Sequence, residues 1–161
     1  MNNKFIETSQ AENLSELDIV CIESACIRLI HQYCVSADRH DLQMFLDVFC
    51  IDAQWTRPNG ELIGHKAIGD YFVQRPKDEL TCHAASNALI SVHSGNRAYG
   101  TSLVAVYRHK GEEDQIAVLH PSSLVEYIDE FVRDHDSRWR IKKRSSRTIL
   151  RKADNKAGGP N

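Results

Sequence analysis

The sequence lacks both a strong excess of charge and a long hydrophobic run. Twenty Lys and Arg residues stand against 22 Asp and Glu residues, so the net charge of −2 gives no general attraction to nucleic acid or anionic lipid. No apolar stretch approaches the roughly 18 residues that suggest a membrane helix, and the polar segment 1–18 does not resemble a secretory signal. We therefore expect a cytoplasmic protein without nucleic-acid or membrane partners.

Cysteine pairs and cofactor motifs are also missing. The number of cysteines is odd and none forms a C-x-x-C pair, which indicates free thiols in a reducing compartment: Cys21, Cys26, Cys34, Cys50 and Cys82. The chain contains neither a G-x-G-x-x-G motif nor a P-loop. A metal site built from Asp38, His40 and Asp41 is disfavoured, because no second ligand cluster has suitable spacing. We expect no cofactor and no metal.

What is present fits one domain. The chain has 161 residues, of which 42% are hydrophobic and 26% charged, enough to bury a core and too apolar for a disordered protein. Residues 1–12 and 151–161 lack apolar anchors and are expected to be flexible tails. The interpretation is therefore a single domain over residues 13–150.

The first half of that domain predicts helices. Ser15 and Asp18 form a capping-box pattern that opens a long helix ending near Ala37. Asp41 is placed to cap a second helix, whose apolar positions extend as far as Phe49. After it, Pro58-Asn59-Gly60 predicts the turn of a small hairpin with strands over 53–57 and 61–63, and residues 66–73 predict a third helix.

The second half predicts strands. Four long segments rich in β-branched and aromatic residues are separated by turn clusters, and they cover residues 82–93, 97–109, 115–130 and 138–150. Pro121 interrupts the third segment, so we expect a bulge or an edge position there. Helices followed by meandering strands predict an α+β fold, a cone-shaped, curved antiparallel sheet wrapped around the N-terminal helices, with a conical pocket.

Candidate functional residues lie where apolar elements meet polar ones. Asp38 follows the apolar side of the first helix, five residues after Tyr33. His83 and Asn87 are four residues apart in a predicted strand, where period-two alternation puts them on one face. Spacing alone does not bring Asp38 to His83, and a loop-capping aspartate with a structural strand histidine remains the alternative.

The order of several motifs resembles the SnoaL-like branch of the nuclear-transport-factor-2-like superfamily. They are Tyr33 to Asp41, then "DAQW", "GHKAI", His83 with Ser86-Asn87, and the late "RWRI". The resemblance covers roughly residues 15–150. It implies a cone-shaped α+β barrel that assembles into a homodimer or a homotrimer.

The same resemblance suggests roles at the pocket. Bile-acid 7α-dehydratases of this superfamily have a Tyr, an Asp five residues later and a strand His, which match Tyr33, Asp38 and His83. Lindane dehydrochlorinases have an Asp–His dyad and an arginine that matches Arg144, although they lack the tyrosine. The resemblance thus implies His83 as general base, Asp38 as its orienting carboxylate, and Tyr33 as a hydrogen-bond donor to the substrate.

Three further residues are candidates for substrate binding: Asn87, Arg144 and Trp55. In a regular strand Arg144 and Trp139 would face opposite sides, so the sequence leaves open which of the two faces the cavity.

The resulting hypothesis is a cofactor-independent lyase that acts on a hydrophobic cyclic small molecule by a dehydratase-type β-elimination. An isomerase or cyclase could use the same Asp–His dyad. A third possibility is a non-catalytic binding or assembly subunit that resembles the small subunits of ring-hydroxylating dioxygenases.

Overall fold

The computed structural model describes residues 14–110 and 120–152. The predicted N-terminal tail, residues 1–12, and nearly all of the predicted C-terminal tail lie outside the described residues, as do residues 115–119 of the third predicted strand. Arg151, which we expected to begin the C-terminal tail, is instead the last residue of a strand that pairs with a neighbour.

The described residues form three helices, α1 (Glu16–Asp38), α2 (Leu42–Asp47) and α3 (Gly64–Val73). Helix α1 begins with the predicted capping box, since the Ser15 hydroxyl accepts from the Asp18 N–H and the Asp18 carboxylate accepts from the Ser15 N–H. Asp41 caps α2 by accepting from the Met44 N–H at 2.9 Å. The two predicted helix starts are therefore confirmed.

By length and composition alone, α1 would be long and apolar enough to cross a membrane. Core helices of globular domains meet the same criterion. One side of α1 is buried, and the helix lies against three strands of the sheet. Its apolar character is thus explained by packing.

Six strands form one sheet: β1 (Phe49–Arg57), β2 (Gly60–Ile63), β3 (Leu80–Ser94), β4 (Arg97–His109), β5 (Ser123–Arg133) and β6 (Trp139–Arg151). Their order is β2-β1-β6-β5-β4-β3. Neighbours pair antiparallel except β1 and β6, which run parallel. The predicted α+β class and curved sheet are confirmed, and the parallel pair is an addition to the prediction.

Several element boundaries differ from the predictions, and two of the differences have a clear physical cause. Phe49, expected on the second helix, is instead the first residue of β1. Its backbone pairs with Ile141 of β6, so the helix ends before it and the strand begins. Pro121, expected inside a strand, lies two residues before β5 begins at Ser123. A residue without an N–H cannot donate to the ladder, so the strand starts after it.

The core lies between α1 and the inner face of the sheet. It is rich in aromatic rings, and four of them pack against one another at centroid distances between 4.3 and 6.2 Å: Tyr33, Phe45, Phe49 and Phe72. Strand β3 carries an irregularity between Ser86 and Leu89, and β6 is irregular where it faces Glu130 and Phe131. Such bulges bend a sheet and re-aim side chains.

Candidate active site

A cavity of about 220 Å³ opens between the C-terminal end of α1 and the inner face of the sheet. All three helices and every strand except β2 contribute side chains to its wall. Tyr33 and Ala37 come from α1, and His83 comes from β3. The cavity therefore lies where the last turn of α1 meets the first half of β3.

Asp38 and His83 meet at this point. The ring Nδ1 of His83 lies 2.5 Å from Oδ1 of Asp38, and the backbone N–H of His83 donates to Oδ2 at 2.8 Å. The side chain of His83 is 7% exposed and that of Asp38 is 22% exposed. Two contacts with one residue fix the carboxylate against the strand, although 45 positions separate the residues in sequence.

The charge state of Asp38 follows from these contacts. Burial alone would raise the pKa of Asp38, but hydrogen bonds from the side chain and backbone of His83, and from Thr81, hold the pKa below its usual value. An ionised carboxylate only accepts hydrogen bonds, so Nδ1 of His83 must carry the proton that it shares with Asp38. In the neutral ring the lone pair is then on Nε2.

Arg75 is linked to the Asp38–His83 pair through Thr81. Its guanidinium donates to the Ala37 carbonyl at 2.8 Å and to the Thr81 hydroxyl at 3.2 Å, and Thr81 in turn donates to Oδ1 of Asp38 at 3.0 Å. Helix α1 has no basic residue in its last turn, so Arg75 supplies the positive charge that this end of a helix favours. Asp38 thus accepts three hydrogen bonds, two from His83 and one from Thr81, and Arg75 positions Thr81.

Tyr33 faces a second tyrosine across the cavity. Its hydroxyl lies 3.2 Å from that of Tyr127 on β5, and its ring is 6.4 Å from the His83 ring. Burial raises the pKa of both phenols, so both stay neutral at neutral pH. Each hydroxyl carries one hydrogen and one of the two is used between them, which leaves one donor for a bound molecule.

Trp55 forms part of the cavity wall. Its ring stacks on Phe49 at 5.8 Å, and its Nε1–H donates to the Ser146 hydroxyl at 2.9 Å. The indole donor is thus already used, so the contribution left for a bound molecule is an apolar surface.

Arg144 is buried beneath the tyrosines. Its guanidinium donates twice to Asp129, both at 2.7 Å, and lies 4.3 Å from the ring centroids of Tyr33 and Tyr127. The sequence left open whether Arg144 or Trp139 faces the interior. The irregularity of β6 changes the alternation, so Ile141 and Arg144 are both buried while Trp139 packs at the edge of the core. Arg144 does not line the cavity; Asp129 takes up its Nε and Nη2, and its buried Nη1 has no hydrogen-bond partner among the described residues.

The expectation that Asn87 shares a face with His83 is wrong. Asn87 is exposed, has a φ of 50°, and falls within the irregularity between Ser86 and Leu89. The extra residue shifts the alternation of β3 by one position, so Ala88 and Ile90 continue the inner face instead. Asn87 is not among the residues that line the cavity, and its proposed substrate contact loses its geometric basis.

Several lining residues were missed from the sequence. Tyr127 follows the alternation of β5, in which Phe131 and Asp129 are also buried, so its inward direction could have been predicted. Arg57 is the last residue of β1, two positions after Trp55, so alternation could have predicted its inward direction. Arg75 follows the end of α3, where helix periodicity gives no direction, and only the fold brings it to the cavity.

The cysteines are free thiols, as predicted. Cys26 and Cys34 are buried in the core, and burial raises the pKa of these thiols to about 12 and about 11. A thiol that resists ionisation is a poor nucleophile, so these two residues are structural. Within the described parts of the chain, no three His, Cys, Asp or Glu side chains come together in a group that could hold a metal ion.

Comparison with known proteins gives a family match. A family model described as a SnoaL-like domain matches residues 19–145, which is most of the chain. Among curated protein sequences, none matches this chain.

Solved structures with the same fold are numerous. A hexachlorocyclohexane dehydrochlorinase from Novosphingobium barchaimii is 20% identical, with a TM-score of 0.73, and the alignment covers 91% of this chain and 100% of that one. A scytalone dehydratase candidate from Novosphingobium aromaticivorans is 21% identical, with a TM-score of 0.72 and coverage of 84% and 89%. A Mycobacterium tuberculosis protein of unknown function is 22% identical, with a TM-score of 0.73 and coverage of 91% and 86%. The TM-scores show a common fold, and at identities this low the likeness shows the fold alone.

Proposed function

Because the chain belongs to the SnoaL-like family, we propose that it is a cofactor-independent lyase that acts on a hydrophobic cyclic small molecule by β-elimination. The observation that carries this proposal is the contact between Asp38 and Nδ1 of His83 at the wall of a cavity. The names of two structural relatives, a dehydrochlorinase and a dehydratase candidate, describe eliminations and agree with it.

His83 acts as the general base. Its Nε2 lone pair takes a proton from a substrate carbon, and the electrons of that C–H bond form the new double bond. Asp38 accepts the hydrogen bond from Nδ1 and stabilises the imidazolium that results. A positioned base of this kind contributes about 10²–10⁴-fold in rate.

The leaving group departs with its bonding electrons. A chloride needs no proton, whereas a hydroxide leaves as water after taking the proton from the imidazolium of His83. The free donor of the Tyr33–Tyr127 pair supplies a hydrogen bond to this group or to an adjacent carbonyl. Because the pKa of both phenols is raised, the pair remains protonated through the reaction.

The test uses two substrates, hexachlorocyclohexane and scytalone, together with a set of cyclic β-hydroxy ketones. We expect chloride or water to be eliminated from at least one of them by the native protein. His83→Ala and Asp38→Asn should each reduce kcat/KM by about 100-fold or more, because each removes the base or its orientation.

Two matched control variants replace the same residue types at exposed positions away from the cavity. His31→Ala removes an exposed histidine of α1, and Asp70→Asn removes an exposed carboxylate of α3; both variants should keep the native rate. Retained activity in His83→Ala or Asp38→Asn, or no turnover of any of these substrates by the native protein, would reject the proposal.

An isomerase remains the second candidate, and the Tyr33–Tyr127 pair favours it. Two neutral hydroxyls can polarise a carbonyl while His83 removes and returns a proton at a neighbouring carbon. Product mass separates the two reactions. An elimination product is lighter than its substrate by the mass of the leaving molecule, whereas an isomerisation product has the same mass.

A further inference from the structure

The lining of the cavity is unbalanced in charge. Four arginines contribute to it, Arg57, Arg75, Arg108 and Arg151, and no Asp or Glu does. The carboxylate of Asp38, which contacts the lining residue His83, has its oxygens occupied by His83 and Thr81. The cavity wall therefore carries positive charge without a carboxylate of its own.

Two of these arginines already have partners. Arg75 donates to the Ala37 carbonyl and to Thr81, as described above. Arg108 donates to the carboxylate of Glu79. Arg57 and Arg151 differ, because no described carboxylate lies within ion-pair distance of either, and of these two only Arg57 is partly buried, since Arg151 is exposed.

Arg57 is also held in a fixed position. Its guanidinium lies 4.1 Å from the ring centroid of Tyr71 and 5.7 Å from that of Trp55. Its Nε is buried and has no hydrogen-bond partner among the described residues. Stacking on rings keeps the guanidinium plane in place and leaves its N–H edge for an acceptor, and a buried donor without a partner is costly.

A row of aromatic rings connects Arg57 with His83. Successive centroids are 6.4 Å apart from His83 to Tyr33, 5.9 Å from Tyr33 to Trp55, and 5.5 Å from Trp55 to Tyr71. All of these side chains line the same cavity. Its wall thus has a base at one end, an apolar surface between, and a cation without a partner at the other.

We propose that the substrate is a carboxylate-bearing cyclic molecule whose carboxylate binds Arg57, while its ring lies along Trp55 and Tyr33 and its reacting carbon faces His83. This inference rests on the proposed function and extends it, because it adds an acidic group to the hydrophobic ring. The fork of a guanidinium matches the two oxygens of a carboxylate, so the contact fixes orientation as well as charge.

Binding of two probes tests the inference without any turnover. The carboxylate 2-naphthoate and its neutral analogue 2-naphthamide have the same ring, and isothermal titration calorimetry measures both with the full-length protein. We expect the native protein to bind 2-naphthoate about tenfold or more tightly than 2-naphthamide, since one charged hydrogen-bonded contact contributes that much. The preference should fall as salt concentration rises.

Variants locate the preference. Arg57→Met keeps the apolar stem over Tyr71 and removes the charge, so it should abolish the preference for the carboxylate, and Arg57→Lys should restore part of it. Arg147→Met is the matched control: Arg147 lies on β6 outside the cavity lining and pairs with Glu126, so its loss should leave the preference unchanged. Circular dichroism checks the fold of each variant.

Two results would overturn the inference. One is a native protein that binds 2-naphthoate no better than 2-naphthamide, a measurement that needs no variant. The other is a folded Arg57→Met protein that keeps the full preference. His83→Ala and Asp38→Asn should retain the preference, so a failed lyase assay and a failed carboxylate site are distinguishable.

Discussion

Asp38 is the residue on which the site depends, and its ionisation couples the site to the stability of the fold. Hydrogen bonds from His83 and Thr81 hold the pKa of Asp38 below that of the unfolded chain. Between the two pKa values the unfolded state binds more protons than the folded state, so this stabilisation is complete above about pH 4 and is lost as the pH falls further.

We therefore expect Asp38→Asn to unfold at lower urea concentration than the native protein at pH 7, and the difference to shrink at pH values below about 4. Urea titrations at pH 7 and at successively lower pH measure it. Asp70→Asn, which changes an exposed aspartate, is the control and should stay close to the native protein throughout. A difference for Asp38→Asn that does not change with pH would contradict the expectation.

The buried tyrosines predict that the stability of the fold decreases as the pH rises at high pH. Burial raises the pKa of Tyr127, so above about pH 10 the unfolded chain releases a proton that the folded protein keeps, and stability falls as the pH rises. Tyr127→Phe removes this effect. We expect the stability advantage of the native protein over Tyr127→Phe to narrow above about pH 10, whereas Tyr107→Phe, at a half-exposed position, should show no such trend.

At the residue scale the sequence was informative where a resemblance existed. The pairing of Tyr33, Asp38 and His83 around one pocket came from matching motifs, and the structure brings these side chains to one place. The prediction that Asn87 shares a face with His83 was wrong because the sequence does not reveal the bulge in which Asn87 adopts a positive φ. Arg57 was missed although it lies two residues after Trp55 in β1 and alternation places it on the same face, whereas its contact with Tyr71 of α3 depends on the fold.

At the scale of elements, β5 and β6 are joined by a buried ion pair. The side chains of Arg144 and Asp129 are 0% and 1% exposed, and the pair is bidentate. Removing one partner leaves an uncompensated buried charge, which costs about 3–5 kcal/mol, whereas removing both leaves none.

Arg144→Met should therefore lower the free energy of unfolding by about 3–5 kcal/mol, and the double variant Arg144→Met/Asp129→Leu should recover much of that loss. Urea unfolding curves for native, single and double variants give the three values. If the double variant is as unstable as the single variant, the loss is not due to an unpaired Asp129.

A close approach between β4 and its neighbours predicts a second effect. A Cβ at Gly100 would lie 2.6 Å from Cδ1 of Ile90, 3.0 Å from the Phe131 ring and 3.2 Å from the Leu89 carbonyl. Gly100→Ala should thus cost about 1–3 kcal/mol by overpacking. Gly95→Ala, whose Cβ would meet only Leu14 at 3.7 Å, is the control and should be near neutral in thermal melts.

The helix starts were predictable because capping is local, and Ser15, Asp18 and Asp41 carry the signal themselves. The start of β1 at Phe49 was not, since it depends on pairing with Ile141, far along the chain. The same holds for the bulge that turns Arg144 inward. Long-range pairing decides these positions, and the local sequence does not contain it.

At the scale of the whole molecule, the outer face of the sheet carries exposed apolar side chains. Leu80 and Leu89 of β3 are 59% and 73% exposed, on the face opposite to α1. We expect a homodimer or a homotrimer that buries this face, because exposed apolar residues on one surface favour association.

Sedimentation equilibrium tests this prediction by measuring the mass of the assembly, to be compared with the 18.3 kDa of a monomer. The native protein should sediment with two or three times that mass, and Leu89→Glu should shift it to the monomer. Leu17→Glu places the same charge on α1, where Leu17 is 71% exposed, and should leave the mass unchanged. A monomeric native protein would contradict the expectation.

The position of β6 has a consequence for how the molecule forms. β6 lies between β1 and β5, so a nascent chain that has not yet produced residues 139–151 holds two separate ribbons, β1 with β2 and β3 through β5, each with an open edge. Open edges invite pairing with other chains. We therefore expect this protein to be prone to aggregation between synthesis of β5 and insertion of β6, a period in which chaperone assistance would matter.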